Sequence, residues 1–167
     1  VVWNPFRQSG GNTPEQPRRA RVVLWHGHCS VHTRFTTRQI DSARALHPDI
    51  NIVVHPDCSM ETVQAADMVG STEFIREQVN SAPPGSKWGI GTEVSLVNRL
   101  AINNPDKTVF CLDSVTCPCS TMYRIHPAYV LWMLEGLLEG KVNNEITVPE
   151  DIKRDSRIAL ERMLSLK

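Results

Sequence analysis

Ile50-Asn51-Ile52-Val53-Val54-His55-Pro56-Asp57-Cys58 decides the fold, because a short run rich in β-branched residues halts abruptly at an imidazole, a proline and a carboxylate. Arg21 to Trp25, Lys87 to Ile90 and Thr108 to Leu112 repeat the form, each followed by polar residues and then by a helical pattern. Strands alternating with helices predict a parallel α/β sheet built from Rossmann-like steps. In such a sheet, chemistry collects where the strands end. Val1-Val2-Trp3-Asn4 reads as a strand already under way, and Gly10, Gly11, Pro14 and Pro17 mark a surface loop after it. Ala65 to Val69 either adds a short strand or closes a helix.

Helix starts are signalled by capping boxes at Thr36 with Gln39 and at Thr147 with Glu150, and by Thr72 and Thr92 as N-caps. Pro127 opens a helix expected to bury Val130, Leu131, Leu134 and Leu138, while Ile152, Ala159 and Met163 line a last one. The C-terminal part thus reads as helical packaging.

With 167 residues and 41% hydrophobic content, the chain is long enough for one core and part of another. Eighteen basic residues balance eighteen acidic ones and are scattered, which argues against a nucleic-acid or membrane-surface binder and toward small, anionic partners. Tyr129 to Leu138, the longest apolar candidate, is interrupted by Glu135 and falls short of a membrane span. Five cysteines, with Cys-Pro-Cys and Cys-x-x-His spacings, suit a metal in a reducing cytoplasm better than a disulfide framework.

Most of the sulfur and imidazole sits at expected strand ends: Trp25-His26-Gly27-His28-Cys29-Ser30-Val31-His32, His55-Pro56-Asp57-Cys58 and Cys117-Pro118-Cys119. Cys29 and Cys119 are about 90 residues apart, a separation that parallel topology closes readily. Zinc and iron-sulfur are both compatible with these donors. Cys111, inside an apolar run, reads as a small buried hydrophobe. His32 is placed to share the Cys29 cavity, His126 reads as a helix cap, and His47 as a surface residue at a helix end. His55 and Asp57 can move protons or bind a polar ligand, although Asp57 can equally cap the next helix. Gly70-Ser71-Thr72 and Gly91-Thr92-Glu93 read either as anion sites at helix starts or as ordinary caps.

Taken in order, Trp25-x-Gly27-x-Cys29-x-Val31-His32, Val54-His55-Pro56-Asp57-Cys58, Gly70-Ser71-Thr72, Ile90-Gly91-Thr92-Glu93 and Cys119-Ser120-Thr121-Met122-Tyr123-Arg124-Ile125 resemble the quinolinate synthase family of bacterial NAD biosynthesis. The resemblance implies an iron-sulfur enzyme that condenses iminoaspartate with dihydroxyacetone phosphate to quinolinate, releasing phosphate and water. Three related α/β domains would each give one cysteine to a 4Fe-4S cluster, whose remaining iron position acts as a Lewis acid. Cys29 and Cys119 are then the metal ligands carried here, and Cys117 is not one. Cys58 is a cavity-wall residue. His32, His55 and Asp57 would line the active site as acid, base or substrate contacts, with Ser71 and Thr72 holding substrate phosphate or carboxylate groups. L-Aspartate oxidase or dehydrogenase would supply iminoaspartate.

On this resemblance, residues 1–29 end a second α/β domain, 30–119 form the third, and 120–167 are helices packing on a first domain upstream of Val1. That domain would bring the third cysteine, so the stretch alone is expected to be inactive. One departure stands out: the family has His-Pro-Glu where this chain has His-Pro-Asp, so Asp57 reaches one methylene less. The alternative from the residues alone is a non-catalytic α/β module holding structural zinc through Cys29, His32, Cys117 and Cys119.

Overall fold

The computed structural model describes residues 1–115 and 117–166, which fall into two compact units, Val1–Met122 and Tyr123–Lys167. The first unit holds a four-stranded sheet of β3 (Asn51–Val54), β4 (Met68–Val69), β5 (Lys87–Gly91) and β6 (Thr108–Cys111), in the spatial order β4-β3-β5-β6. Every pairing is parallel, so the chain fits the α/β class the alternation predicts. Before it, β1 (Val2–Trp3) and β2 (Leu24–Trp25) pair in parallel as a separate ribbon, and α1 (Glu15–Arg19) lies between them in sequence. Of the Arg21 to Trp25 run, only its last two residues are strand.

Helices α2 (Thr37–Leu46), α3 (Met60–Ala65), α4 (Thr72–Ser81) and α5 (Val94–Asn103) complete the crossovers. After Asn51, β3 is apolar because it is covered on both faces. Its Ile52 and Val54 pack with Phe35, Ile40 and Ala43 on the α2 side, while Val53 joins Ile75, Val79, Ile90, Val97 and Leu100 on the α4 and α5 side. The two-residue period of the strand thus feeds two cores. Both readings of Ala65 to Val69 hold in part, since Ala65 ends α3 and Met68–Val69 is the edge strand β4.

The capping box at Thr36 forms, with the Gln39 side chain accepting from the Thr36 N–H at 2.8 Å. Three other starts differ from expectation. Ser71 rather than Thr72 caps α4, its Oγ accepting from the Phe74 N–H at 3.2 Å. Glu93 rather than Thr92 caps α5, through Oε2 and the Ser95 N–H at 2.8 Å. In the second unit, α7 (Glu150–Ser165) follows Pro149 with no side-chain cap, because an extended proline already turns the chain and leaves Thr147 outside. Ser59 caps α3, which leaves the Asp57 carboxylate free.

α6 (Pro127–Leu138) begins at Pro127, with His126 Nδ1 accepting from the Ala128 N–H at 3.2 Å. Its expected burial does not follow: Val130, Leu131 and Leu134 are about half exposed, and Leu138 is 90% exposed. Ile152, Ala159 and Met163 of α7 are exposed as well. Within its own unit, α6 therefore leaves a largely apolar surface uncovered. Among the described residues, no helix is long and apolar enough to cross a membrane.

Gly91 permits the tightest approach in the sheet, since a Cβ there would stand 2.7 Å from Cγ1 of the fully buried Val54. Gly91→Ala is therefore expected to lower the melting temperature of the full-length protein by several degrees, through overpacking of about 1–3 kcal/mol. Thermal unfolding followed by circular dichroism checks this, and an unchanged midpoint would count against the close fit.

Candidate functional site

Parallel pairing brings the strand ends to one edge, and the register sets which residues meet there. Val54 lies opposite Gly91, and the ladder continues one step further as the His55 N–H donates to the Gly91 carbonyl at 3.0 Å. His55 and Thr92 thus leave adjacent strands side by side. His32 reaches them from a short 3₁₀ turn, His32–Arg34, anchored by buried Val31 and Phe35.

Three groups surround the His32 ring. Its Nε2 lies 3.1 Å from Thr92 Oγ1, its face stacks on His55 with centroids 4.2 Å apart and planes 7° from parallel, and its Nδ1 is 3.5 Å from Asp57 Oδ2. That nitrogen is buried without a hydrogen-bond partner. A buried polar atom left open is costly unless something completes it. Asp57 Oδ2 is also 3.6 Å from His55 Nδ1, which accepts the Asp57 N–H at 3.2 Å. Burial pushes the His32 pKa down, the neighbouring His55 adds to the shift, and Asp57 opposes it without reversing it.

His32, His55 and Asp57 place three ligand atoms within 4.8 Å of one another, close enough to consider a metal ion. Chelation, however, needs imidazole lone pairs that converge. In parallel stacked rings they run in separate planes, and the His55 Nδ1 lone pair is already engaged by the backbone. The arrangement suits hydrogen bonding and proton exchange with a polar ligand better.

Asp57 also lines an open cleft of about 440 Å³ with Trp25, Gly27, His28 and Cys29. Cys29 is half-buried and backs onto the same core cluster as half-buried Cys119. Cys117 instead lines a small cavity with Arg34 and Asp113. Cys58 is a core residue whose thiol donates to the Gly91 carbonyl at 3.6 Å, and burial pushes its pKa up to about 11. Burial also raises Cys111, so both are held as thiols. The four-residue zinc set is not assembled, because the two His32 nitrogens face Thr92 and Asp57. Ser71 and Thr72 are exposed at the start of α4, beyond the edge strand next to β3.

Two features lie outside the sequence reading. Thr92 reads there as a helix cap, yet it is 1% exposed and turns its hydroxyl to His32; its place one residue beyond β5, matching His55 beyond β3, is the signal that could reveal it. The Arg34–Asp113 pair, at 2.8 Å, ties the His32 turn to the segment after β6. Burial raises the Asp113 carboxyl, but the Val115 N–H and the Arg34 guanidinium outweigh it and hold the pKa below the usual carboxylate range.

The family model described as Quinolinate synthetase A protein matches residues 1–165. Among curated relatives, the quinolinate synthase of Corynebacterium glutamicum is 54% identical over 99% of this chain and 42% of its own length. That of Herpetosiphon aurantiacus is 52% identical over 99% of this chain and 44% of its own, and that of Geobacillus kaustophilus is 48% identical over 99% and 45%. The chain therefore spans under half the length of these relatives.

A folded-state pKa below the ordinary histidine value of 6.5 means that His32 binds fewer protons folded than unfolded. Its contribution to stability is complete above pH 6.5 and is lost as pH falls from there through the lowered folded value. Melting temperatures between pH 7.5 and 5 should fall more steeply for the full-length protein than for its His32→Asn variant. Equal slopes would show that His32 is not held neutral by the fold.

Proposed function

The chain belongs to the Quinolinate synthetase A protein family, and on that premise we propose that it is the part of a quinolinate synthase carrying two cluster cysteines and the His32–His55–Asp57 site. The reaction is the condensation of iminoaspartate with dihydroxyacetone phosphate to quinolinate, with loss of phosphate and water, and L-aspartate oxidase or dehydrogenase supplies iminoaspartate in the cytoplasm. The observation that supports it most directly is the buried, unpartnered Nδ1 of His32 facing Asp57. It is a built hydrogen-bond position awaiting a ligand atom.

The cysteines fit a shared iron-sulfur cluster. Cys29 lines the cleft with Asp57, and Cys29 and Cys119 both pack against one core cluster, while Cys58 and Cys111 are kept protonated by burial. Cys29 and Cys119 would hold the group, with a third cysteine from the remainder of the protein. When bound, such a cluster supplies a Lewis-acidic iron position.

The chain's own residues orient and exchange protons. His32 stays neutral at working pH, so it can share a proton with a substrate oxygen or nitrogen without adding charge. Asp57, the most exposed of the three, can take a proton released during condensation or dehydration. Ser71 accepts in the cap through its oxygen and keeps its O–H proton to donate, so the Ser71 and Thr72 hydroxyls and the free N–H groups of α4 can meet phosphate or carboxylate. Residues 1–29 belong with a preceding α/β domain, as the two-stranded ribbon exposing Trp25 to 66% suggests. Residues 30–119 form the third domain, and the apolar faces of 120–167 pack on the first.

The test uses the full-length protein purified without oxygen. Quinolinate should form from iminoaspartate and dihydroxyacetone phosphate, and His55→Ala should lower turnover by about 100-fold or more. Asp57→Glu should keep or raise turnover, because the longer carboxylate has the reach found elsewhere in the family; a large loss would reject the carry-over. Cys29→Ser and Cys119→Ser should each lose iron and sulfide, measured chemically, whereas Cys58→Ser should retain both. A full-length protein with intact iron and sulfide but no product would overturn the reading.

A further inference from the structure

We propose that Thr92 is a positioning residue that fixes the tautomer of His32, donating its hydroxyl proton to Nε2 so that His32 turns an Nδ1–H toward Asp57 and the ligand position. The argument starts from the buried contact of Nε2 with Thr92 Oγ1 at 3.1 Å, where either atom could be the donor. Among the described residues the Thr92 hydroxyl has no other hydrogen-bond partner. Were Nε2 the donor, the hydroxyl proton of a residue 1% exposed would have no acceptor, and burial makes that costly.

Charge leads to the same answer from the other side of the ring. Nδ1 faces the Asp57 carboxylate at 3.5 Å. A bare lone pair there would oppose an anion, whereas an N–H is attracted to it. The ring has one proton to place when neutral, and both neighbours ask for it on Nδ1.

His55 has the opposite assignment. Its Nδ1 accepts the Asp57 N–H, so its proton sits on Nε2. The two stacked imidazoles therefore carry their protons on different atoms, and only His32 offers an Nδ1–H donor beside the carboxylate. Threonine is suited to the task because its methyl fills the buried corner while its hydroxyl has a single acceptor in reach.

This inference deepens the proposed reaction, and its kinetic half rests on that reading. The ¹⁵N shifts of imidazole nitrogens in the full-length protein, assigned with His32→Asn, report the tautomer without any turnover. Wild type and Thr92→Ser should show His32 protonated at Nδ1 and bare at Nε2, and Thr92→Val should move the proton to Nε2 or give a mixture. Thr92→Val should lower kcat by about tenfold or more with KM within about threefold, and Thr92→Ser should restore most of kcat. A proton on Nε2 in the wild type overturns the proposal, as does a Thr92→Val protein whose tautomer is unchanged, whatever its kcat. If Thr92→Val does not fold, the wild-type and Thr92→Ser spectra decide. The predicted tautomers in a wild-type protein that never forms quinolinate would reject the reaction and leave the role of Thr92 standing.

Discussion

The approach of Val54 to the bare backbone of Gly91 is the constraint on which the site depends. It sets the spacing between two central strands at the level where they stop, and everything chemical in this part of the molecule is hung one residue further on. His55 and Thr92 are neighbours because of that register. His32 has a place to dock only because they are. A side chain at position 91 would push on a fully buried β3 residue, and in a close-packed interior the displacement would pass to the imidazole stack.

The same packing explains the electrical character of the site. Val31 and Phe35 bury the His32 turn, the ring loses water, and its charged form becomes unfavourable. Asp57 works against this from a more exposed position. The balance favours a neutral imidazole next to the carboxyl group. Such a pair can donate at one atom and accept at another without reorganising.

Much of this was readable from the residues, and the failures have physical causes. β3, β5 and β6 are visible because β-branched runs end in turn chemistry, and Thr36 with Gln39 is visible because capping is local. His55 and Asp57 could be placed together at one strand end and His32 beside Cys29, whereas the grouping of all three came through the family resemblance. Thr92 could not, because a threonine before a helix is explained equally well by capping; only the three-dimensional register shows that Glu93 has taken that task. The helix Pro127–Leu138 was legible as a helix, yet not its burial. Periodicity states which face wants covering, and what covers it is information held outside the segment.

The stacked histidines carry one more consequence, in the arithmetic of charge. Two imidazolium rings 4.2 Å apart would repel by about 4 kcal/mol at an effective dielectric of about 20, so the stacking works against two cationic rings. The Asp57 carboxylate faces both rings, so the three residues together present a carboxylate and no fixed positive charge. They cannot serve as an electrostatic anchor for a phosphorylated or dicarboxylate ligand. Attraction for an anionic ligand would then fall to uncharged backbone N–H groups at helix starts, which separates the holding of a ligand from the handling of its protons.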